Sequence, residues 1–119
     1  RLFLEPTLRE NFEIKRQLTD FHPATCIEEW AKRLGVDHRL DTPARLCSYG
    51  EQQRASIIRG LLQPFKWILL DEPFSHLDDA NARKAMDLIL EESEKQGAAI
   101  LLADLEIVPH YPQTRLLRL

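Results

Sequence analysis

Two short segments, residues 66–70 and 98–103, constrain the fold most because each carries an unbroken apolar run. Strands without polar alternation are typical of parallel sheets that are covered on both faces. A long helix pattern separates the two segments, and its apolar stripe consists of Ala82, Ala85, Met86 and Ile89. Strands that alternate with long helices predict an α/β fold, in which helices pack on a parallel sheet.

The residues around this helix pattern set its limits. Asp78 or Asp79 can cap its first turn, because a short polar side chain accepts a hydrogen bond from free backbone N–H groups there. Gly97 is placed to end the helix in a left-handed conformation. A third strand is predicted at residues 114–119.

A shorter helix is predicted to begin at Ser48. Ser48 and Glu51 have the spacing of a capping box, in which each residue bonds the backbone N–H of the other. The apolar residues that follow at helical spacing are Ala55, Ile58 and Leu62. Pro64 ends this helix, since proline disfavours helical structure in the residue before it.

The first part of the chain, residues 1–47, is predicted to form a helical subdomain, and residues 48–119 the α/β part. Thr7 begins another capping-box pattern, followed by a loose apolar stripe of Leu8, Phe12, Ile14 and Leu18. A second helix is predicted at about residues 24–34, with apolar positions at Ile27, Trp30, Ala31 and Leu34. Gly35 follows it as a left-handed cap, and residues 36–46 are interpreted as a loop.

Composition excludes several classes of protein. The 119 residues are 44% apolar and 29% charged, which is typical of one globular domain. The net charge of −3 gives no general attraction to nucleic acid or anionic lipid. Cys26 and Cys47 have no metal-ligand spacing, and no apolar run is long enough to span a membrane. No signal peptide is expected, because charged residues come too early in the first segment, RLFLEPTLREN. A membrane role is therefore expected to act through a partner.

Asp71 and Glu72 follow the first strand directly, at the edge where parallel sheets bind ligands. One carboxylate can hold a hydrated Mg²⁺, and the other can orient or deprotonate a water for attack on a phosphoryl group. The alternative is that the two acids only open a solvated loop. Ser48 and Gly50 likewise stand at a helix N-terminus that favours anions, although an ordinary helix cap has the same pattern.

Together these segments resemble the ATP-binding cassette (ABC) ATPases. The signature motif corresponds to CSYGEQQR at 47–54, the Walker B strand to WILLDEP at 67–73, and the D-loop to SHLD at 75–78. PTLREN at 6–11 is similar to the segment that follows the family's Q-loop. The resemblance implies a P-loop NTPase-like parallel sheet with flanking helices, plus a helical subdomain that carries the signature motif.

The resemblance also implies a role for each matching residue. Ser48 and Gly50 would contact the γ-phosphate of ATP held by the opposite subunit, and Tyr49 and Glu51 would belong to the same cofactor-binding group. Asp71 would support Mg²⁺, and Glu72 would be the catalytic base. Asp78 would reach across the dimer. Tyr49 and Glu51 stand where the family has glycine and glutamine, whereas Gln53 and Arg54 match the motif's tail and are interpreted as structural.

The function implied is that of the ATP-binding and ATP-hydrolysing subunit of an ABC transporter. Its partners would be a second nucleotide-binding domain, in a homo- or heterodimer, and a transmembrane permease; no nucleic acid is expected. It would lie in the cytoplasm, on the inner face of the cell membrane. Two alternatives stay open: a soluble ABC ATPase without a transport role, and a degenerate cassette that acts as a nucleotide-binding or interaction module.

Two departures from the family affect these expectations. The sequence contains no GxxxxGK[ST] phosphate loop, so the fold is expected to be incomplete and the chain to be the C-terminal portion of a longer protein. We expect the 119 residues alone to bind ATP poorly and to be inactive. Asp104 occupies the position of the family's γ-phosphate-contacting histidine, where an ionised carboxylate would repel phosphate. Hydrolysis is expected to be slow, and Asp104→His to raise its rate in the longer protein.

Overall fold

The computed structural model describes residues 1–103, in which four helices and two strands follow one another in the predicted order. The helices are α1 (Leu8–Thr19), α2 (Thr25–Arg33), α3 (Tyr49–Leu61) and α4 (Asp79–Gln96), and the strands are β1 (Trp67–Asp71) and β2 (Ala99–Ala103). The segment interpreted as a loop contains two 3₁₀ turns, Asp37–Arg39 and Ala44–Leu46. Asp104 and the third predicted strand, at 114–119, lie outside the described residues.

Local hydrogen bonds fix the helix ends, as predicted. Complete capping boxes begin α1 at Thr7 and α3 at Ser48, and the side chain of Asp78 caps α4. Gly35 and Gly97 have φ values of 70° and 62°, so both occupy the left-handed region in which glycine costs least. Each helix therefore begins or ends where short-range chemistry requires it.

The strands β1 and β2 form a parallel pair, in register from Trp67 opposite Ala99 to Asp71 opposite Ala103. One face packs against the apolar core, through Ile68, Leu70, Ile100 and Leu102. The other face is open, with Trp67, Leu69 and Leu101 more than half exposed. The expectation of a sheet covered on both faces was therefore wrong for residues 1–103, because the described residues supply a layer on one side only.

The apolar core lies between the helices and the covered face of the sheet. Its central residues come from α3 and α4, and they include Ala55, Ile58, Leu61, Ala85, Met86, Leu88 and Ile89. From α2, Ile27, Trp30 and Ala31 join the same core as predicted. None of the helices in residues 1–103 has the length and apolar character needed to span a bilayer. The subdomain boundary at residue 47 stays a prediction.

The predicted apolar stripe of α1 was half wrong. Leu8 and Phe12 are fully buried, whereas Ile14 and Leu18 are 44% and 67% exposed. Ile14 follows Phe12 by two residues, which places it on nearly the opposite side of a helix with 3.6 residues per turn. The third buried residue of α1 is Asn11. Its side chain accepts a hydrogen bond from the Phe3 N–H and donates one to the Phe3 oxygen.

Candidate functional site

The start of α3 is held by reciprocal hydrogen bonds between Ser48 and Glu51. The Ser48 hydroxyl accepts from the Glu51 N–H at 3.1 Å, and the Ser48 N–H donates to Glu51 Oε1 at 2.8 Å. The next N–H groups, of Tyr49 and Gly50, have no hydrogen-bond partner among residues 1–103. Open N–H groups at a helix N-terminus, reinforced by the helix dipole, can bind an anion such as a phosphate.

Glu51 faces inward, unlike the other residues of the predicted phosphate-binding group. Its carboxylate lies 3.3 Å from Arg39 Nε and 3.2 Å from His38 Nε2, and the residue is only 8% exposed. Burial alone would raise the pKa of Glu51, but the hydrogen bond from the Ser48 N–H and the Arg39 guanidinium together lower it. The Glu51 carboxylate therefore stabilises the start of α3 from the protein side, and its hydrogen bonds go to protein groups.

Gly50 lies where α3 touches the loop between β1 and α4, and sequence reasoning missed this contact. A Cβ atom at Gly50 would lie 2.9 Å from the backbone oxygen of His76 and 3.6 Å from Leu77 Cδ2. The exposed ring of Tyr49 also lies against the His76 ring, with 5.6 Å between the centroids. A glycine is required here for close packing, whatever the ligand. The short D-loop segment therefore borders the open N-terminus of α3.

The two predicted acids at the end of β1 have different backbone conformations. Asp71 is the last residue of β1 and is exposed, on the same open face as Trp67. Glu72 leaves the strand with a φ of 44°, an uncommon value for a residue other than glycine, and its N–H donates to the Ala103 oxygen at 2.7 Å. The turn at Glu72 therefore ends the extended backbone of β1 directly after Asp71.

The chemistry of this edge fits Mg²⁺ through Asp71. The Asp71 carboxylate has no hydrogen bond or ion pair in the part of the chain that the structure describes, so a hard oxygen ligand is available there. Among residues 1–103 no three His, Cys, Asp or Glu side chains form a metal-binding group. A single carboxylate nevertheless suits Mg²⁺, which keeps several waters and takes phosphate oxygens as ligands.

Asp78 is engaged within its own chain. Its Oδ1 atom accepts a hydrogen bond of 2.8 Å from the Asn81 N–H at the start of α4. The residue is exposed, and no hydrogen bond to its second carboxylate oxygen is present among residues 1–103. The capping bond fixes the carboxylate at the end of the D-loop, beside the first turn of α4.

Gln53 and Arg54 hold this arrangement together. Gln53 bonds the loop after β1, and Arg54 Nη1 donates to the Leu34 oxygen at 2.7 Å. Arg54 also contacts the Gly50 oxygen at 3.3 Å and Asn81 Oδ1 at 3.4 Å. Their interpretation as structural residues agrees with these contacts. The start of α3, the turn at Glu72 and the D-loop therefore form one connected surface.

Comparison with known proteins identifies the family. A family model described as ABC transporter matches residues 1–75, which is more than half of the chain. The energy-coupling factor transporter ATP-binding protein EcfA3 of Clostridium perfringens is 33% identical over 87 residues, and this match covers 71% of the chain. The chain spans 30% of that relative's length.

Solved structures have the same fold. An ATP-binding subunit of an ABC transporter superposes on 88% of the chain with a TM-score of 0.75, at 20% identity, and the match covers 45% of that structure. The structure of an RNase-L inhibitor matches 83% of the chain with a TM-score of 0.68, at 29% identity, and 19% of that structure is covered. With a family model over most of its described residues, the chain belongs to the ABC transporter family, as part of its nucleotide-binding domain.

Proposed function

We propose that this chain is the signature-containing part of an ATP-binding and ATP-hydrolysing subunit, which powers transport through a membrane permease. The observation that carries the proposal is the open N-terminus of α3, connected through the D-loop to two carboxylates at the carboxyl end of a parallel strand. Phosphate recognition and water activation both need such groups, and this surface supplies them together.

Each residue has a separate task in this mechanism. The N–H groups of Tyr49 and Gly50 and the Ser48 hydroxyl bind the γ-phosphate of ATP carried by a second nucleotide-binding domain. Asp71 would hold Mg²⁺ through a carboxylate oxygen, and the ion would supply positive charge beside the phosphates. Glu72 accepts a hydrogen bond from the attacking water and orients it. Because the signature helix binds a nucleotide held by the other domain, turnover requires a homo- or heterodimer.

Asp78 and the chain's partners complete the proposal. The outward oxygen of Asp78 contacts the second nucleotide-binding domain across the dimer interface. A permease supplies the membrane-spanning part, so the subunit lies in the cytoplasm on the inner face of the membrane. Residues 1–103 contain no phosphate loop, and these residues alone are therefore expected to bind ATP poorly and to be inactive.

Two matched capping residues test the proposal. Thr7 and Ser48 begin α1 and α3 with the same capping box, but only Ser48 belongs to the proposed phosphate site. In the full-length protein, Thr7→Ala and Ser48→Ala should each lower the free energy of unfolding by about 1 kcal/mol. Only Ser48→Ala should raise the ATP concentration at half-maximal hydrolysis. If the two variants reach half-maximal hydrolysis at the same ATP concentration, the phosphate-binding role of Ser48 is contradicted.

A second function is favoured by the likeness to the RNase-L inhibitor structure. In this alternative the chain is part of an ATP-driven regulator that acts without a permease. Co-purification of the full-length protein with a membrane protein supports transport. Salt-sensitive binding to nucleic acid or ribosomes supports the regulator instead, since phosphate contacts weaken as salt increases. ATP binding without turnover would point to a degenerate cassette.

A further inference from the structure

One side chain of α3 makes most of the hydrogen bonds between that helix and the turn after β1. Gln53 Nε2 donates to the Glu72 backbone oxygen at 3.1 Å and to Ser75 Oγ at 3.2 Å. Its Oε1 atom accepts from the His76 N–H at 2.9 Å. Gln53 follows Gly50 by three residues, so the tether begins one helical turn after the proposed phosphate site.

The turn at Glu72 depends on such tethers. Its left-handed backbone is unfavourable for a residue with a side chain, so surrounding contacts must maintain it. The Glu72 N–H is bonded to Ala103 on β2, and its C=O accepts from Gln53 Nε2 on α3 at 3.1 Å and from the Ser75 N–H of the same turn at 3.4 Å. The two peptide groups beside the Glu72 side chain are therefore anchored to different elements. Movement of α3 would act directly on one of these anchors.

We propose that Gln53 is a positioning residue that couples the two ATP sites of the dimer. The inference rests on the proposed function, in which the start of α3 binds ATP carried by the partner while Glu72 acts on ATP in its own subunit. Gln53 joins these two places through one side chain. Binding of the partner's γ-phosphate at α3 then fixes the orientation of Glu72. Gln53 itself touches neither ATP nor the attacking water.

The neighbouring glutamine is a matched control. Gln52 Nε2 also makes two hydrogen bonds to protein oxygens, but they belong to Ala44 at 2.9 Å and Cys47 at 3.1 Å. Both side chains are partly buried on the same helix. Replacement of either residue removes comparable hydrogen bonds, and only Gln53 connects α3 with Glu72. A difference between the two variants therefore isolates the tether from general stability.

The test compares steady-state ATP hydrolysis in the full-length protein. Gln53→Ala should lower kcat at least about tenfold, because Glu72 loses its fixed orientation. The half-saturating ATP concentration should change by less than about twofold, because the contacts to ATP remain. The Hill coefficient should fall toward one, because the coupling between the two sites is lost. Gln52→Ala should change none of these quantities by more than about twofold.

A second variant covers the case in which Gln53→Ala does not fold. Gln53→Glu has nearly the same shape and keeps an acceptor for the His76 N–H, but it loses both donors to the turn. It should lower kcat and the Hill coefficient in the same direction. The inference is overturned if folded Gln53 variants keep the wild-type kcat and Hill coefficient, or if Gln52→Ala matches their losses. A wild-type protein without turnover refutes the proposed function together with the inference.

Discussion

The contact between Gly50 and the D-loop can be tested by adding a single methyl group. In Gly50→Ala the new Cβ would lie 2.9 Å from the His76 backbone oxygen. Ordinary C···O contacts are about 3.3 Å or longer, so the helix or the loop must move by a few tenths of an ångström. Overpacking of this kind costs about 1–3 kcal/mol. Removal of a helical glycine offsets about 0.5–1 kcal/mol of that, which leaves a net loss between about 0 and 2.5 kcal/mol.

Gly60 provides the matched substitution in the same helix. A Cβ atom at Gly60 would have no neighbour within 4 Å, and the residue is exposed near the end of α3. Gly60→Ala should therefore raise the free energy of unfolding by about 0.5–1 kcal/mol. Urea unfolding of wild type, Gly50→Ala and Gly60→Ala gives the comparison, with equal m-values as the check on two-state behaviour. If Gly50→Ala stabilises the protein as Gly60→Ala does, the reasoning about the α3–D-loop contact is refuted.

Three further predictions concern Glu51, Arg54 and the orientation of α1. Glu51→Gln should destabilise the protein near pH 7. The pKa of Glu51 in the folded protein lies below its ordinary 4.5, so the stability that its charge contributes is complete above pH 4.5 and is lost as pH falls through the folded pKa. The unfolding free energies of wild type and Glu51→Gln should therefore approach each other at low pH. Urea unfolding of both proteins at about pH 7 and about pH 3 measures this change. Arg54→Lys should cost about 1–3 kcal/mol in urea unfolding, since lysine cannot reproduce the bonds to Leu34 and Gly50. Phe12→Ala should cost about 3–5 kcal/mol, whereas Leu18→Ala should stay within about 0.5 kcal/mol in thermal unfolding.

Each of these three has a result that would contradict it. An equal effect of Glu51→Gln at both pH values would mean that the charge is not what stabilises the start of α3. Wild-type stability in Arg54→Lys would show that the guanidinium bonds contribute nothing. Similar losses in the Phe12 and Leu18 variants would contradict the orientation of α1.

The helix boundaries could be predicted because they depend on neighbouring residues. The capping boxes at Thr7 and Ser48 and the glycines at 35 and 97 involve groups a few positions apart, so their spacing is visible in the sequence. The parallel pairing of the strands followed from the length of the helix between them. Local chemistry and topology therefore determined most of the secondary structure.

The orientation of side chains toward distant parts of the chain could not be predicted in the same way. Glu51 was assigned to the ligand side, but Arg39 and His38 draw its carboxylate to the protein side. The packing of Gly50 on His76 joins residues separated by the whole of β1. The open face of the sheet likewise depends on which elements lie above it. Such contacts arise from tertiary structure, which no short sequence window contains.

The roles of the candidate site residues remain predictions of a different kind. The structure connects the start of α3 with the turn at Glu72, and the family model matches residues 1–75, which contain both. The chemistry proposed for them requires ATP and a second nucleotide-binding domain. Asp104 lies beyond the described residues, so its effect on turnover rests on the sequence.

The most direct test of the account is the ATP hydrolysis rate of the full-length protein with Glu72→Gln. Glutamine preserves the shape of the side chain but cannot accept a proton, so kcat should fall by at least about 100-fold. The variant should still bind ATP and form the ATP-dependent dimer, because the signature helix and Asp71 are unchanged. A kcat within about twofold of the wild-type value would contradict the central role assigned to Glu72, because removal of a catalytic base lowers kcat much further.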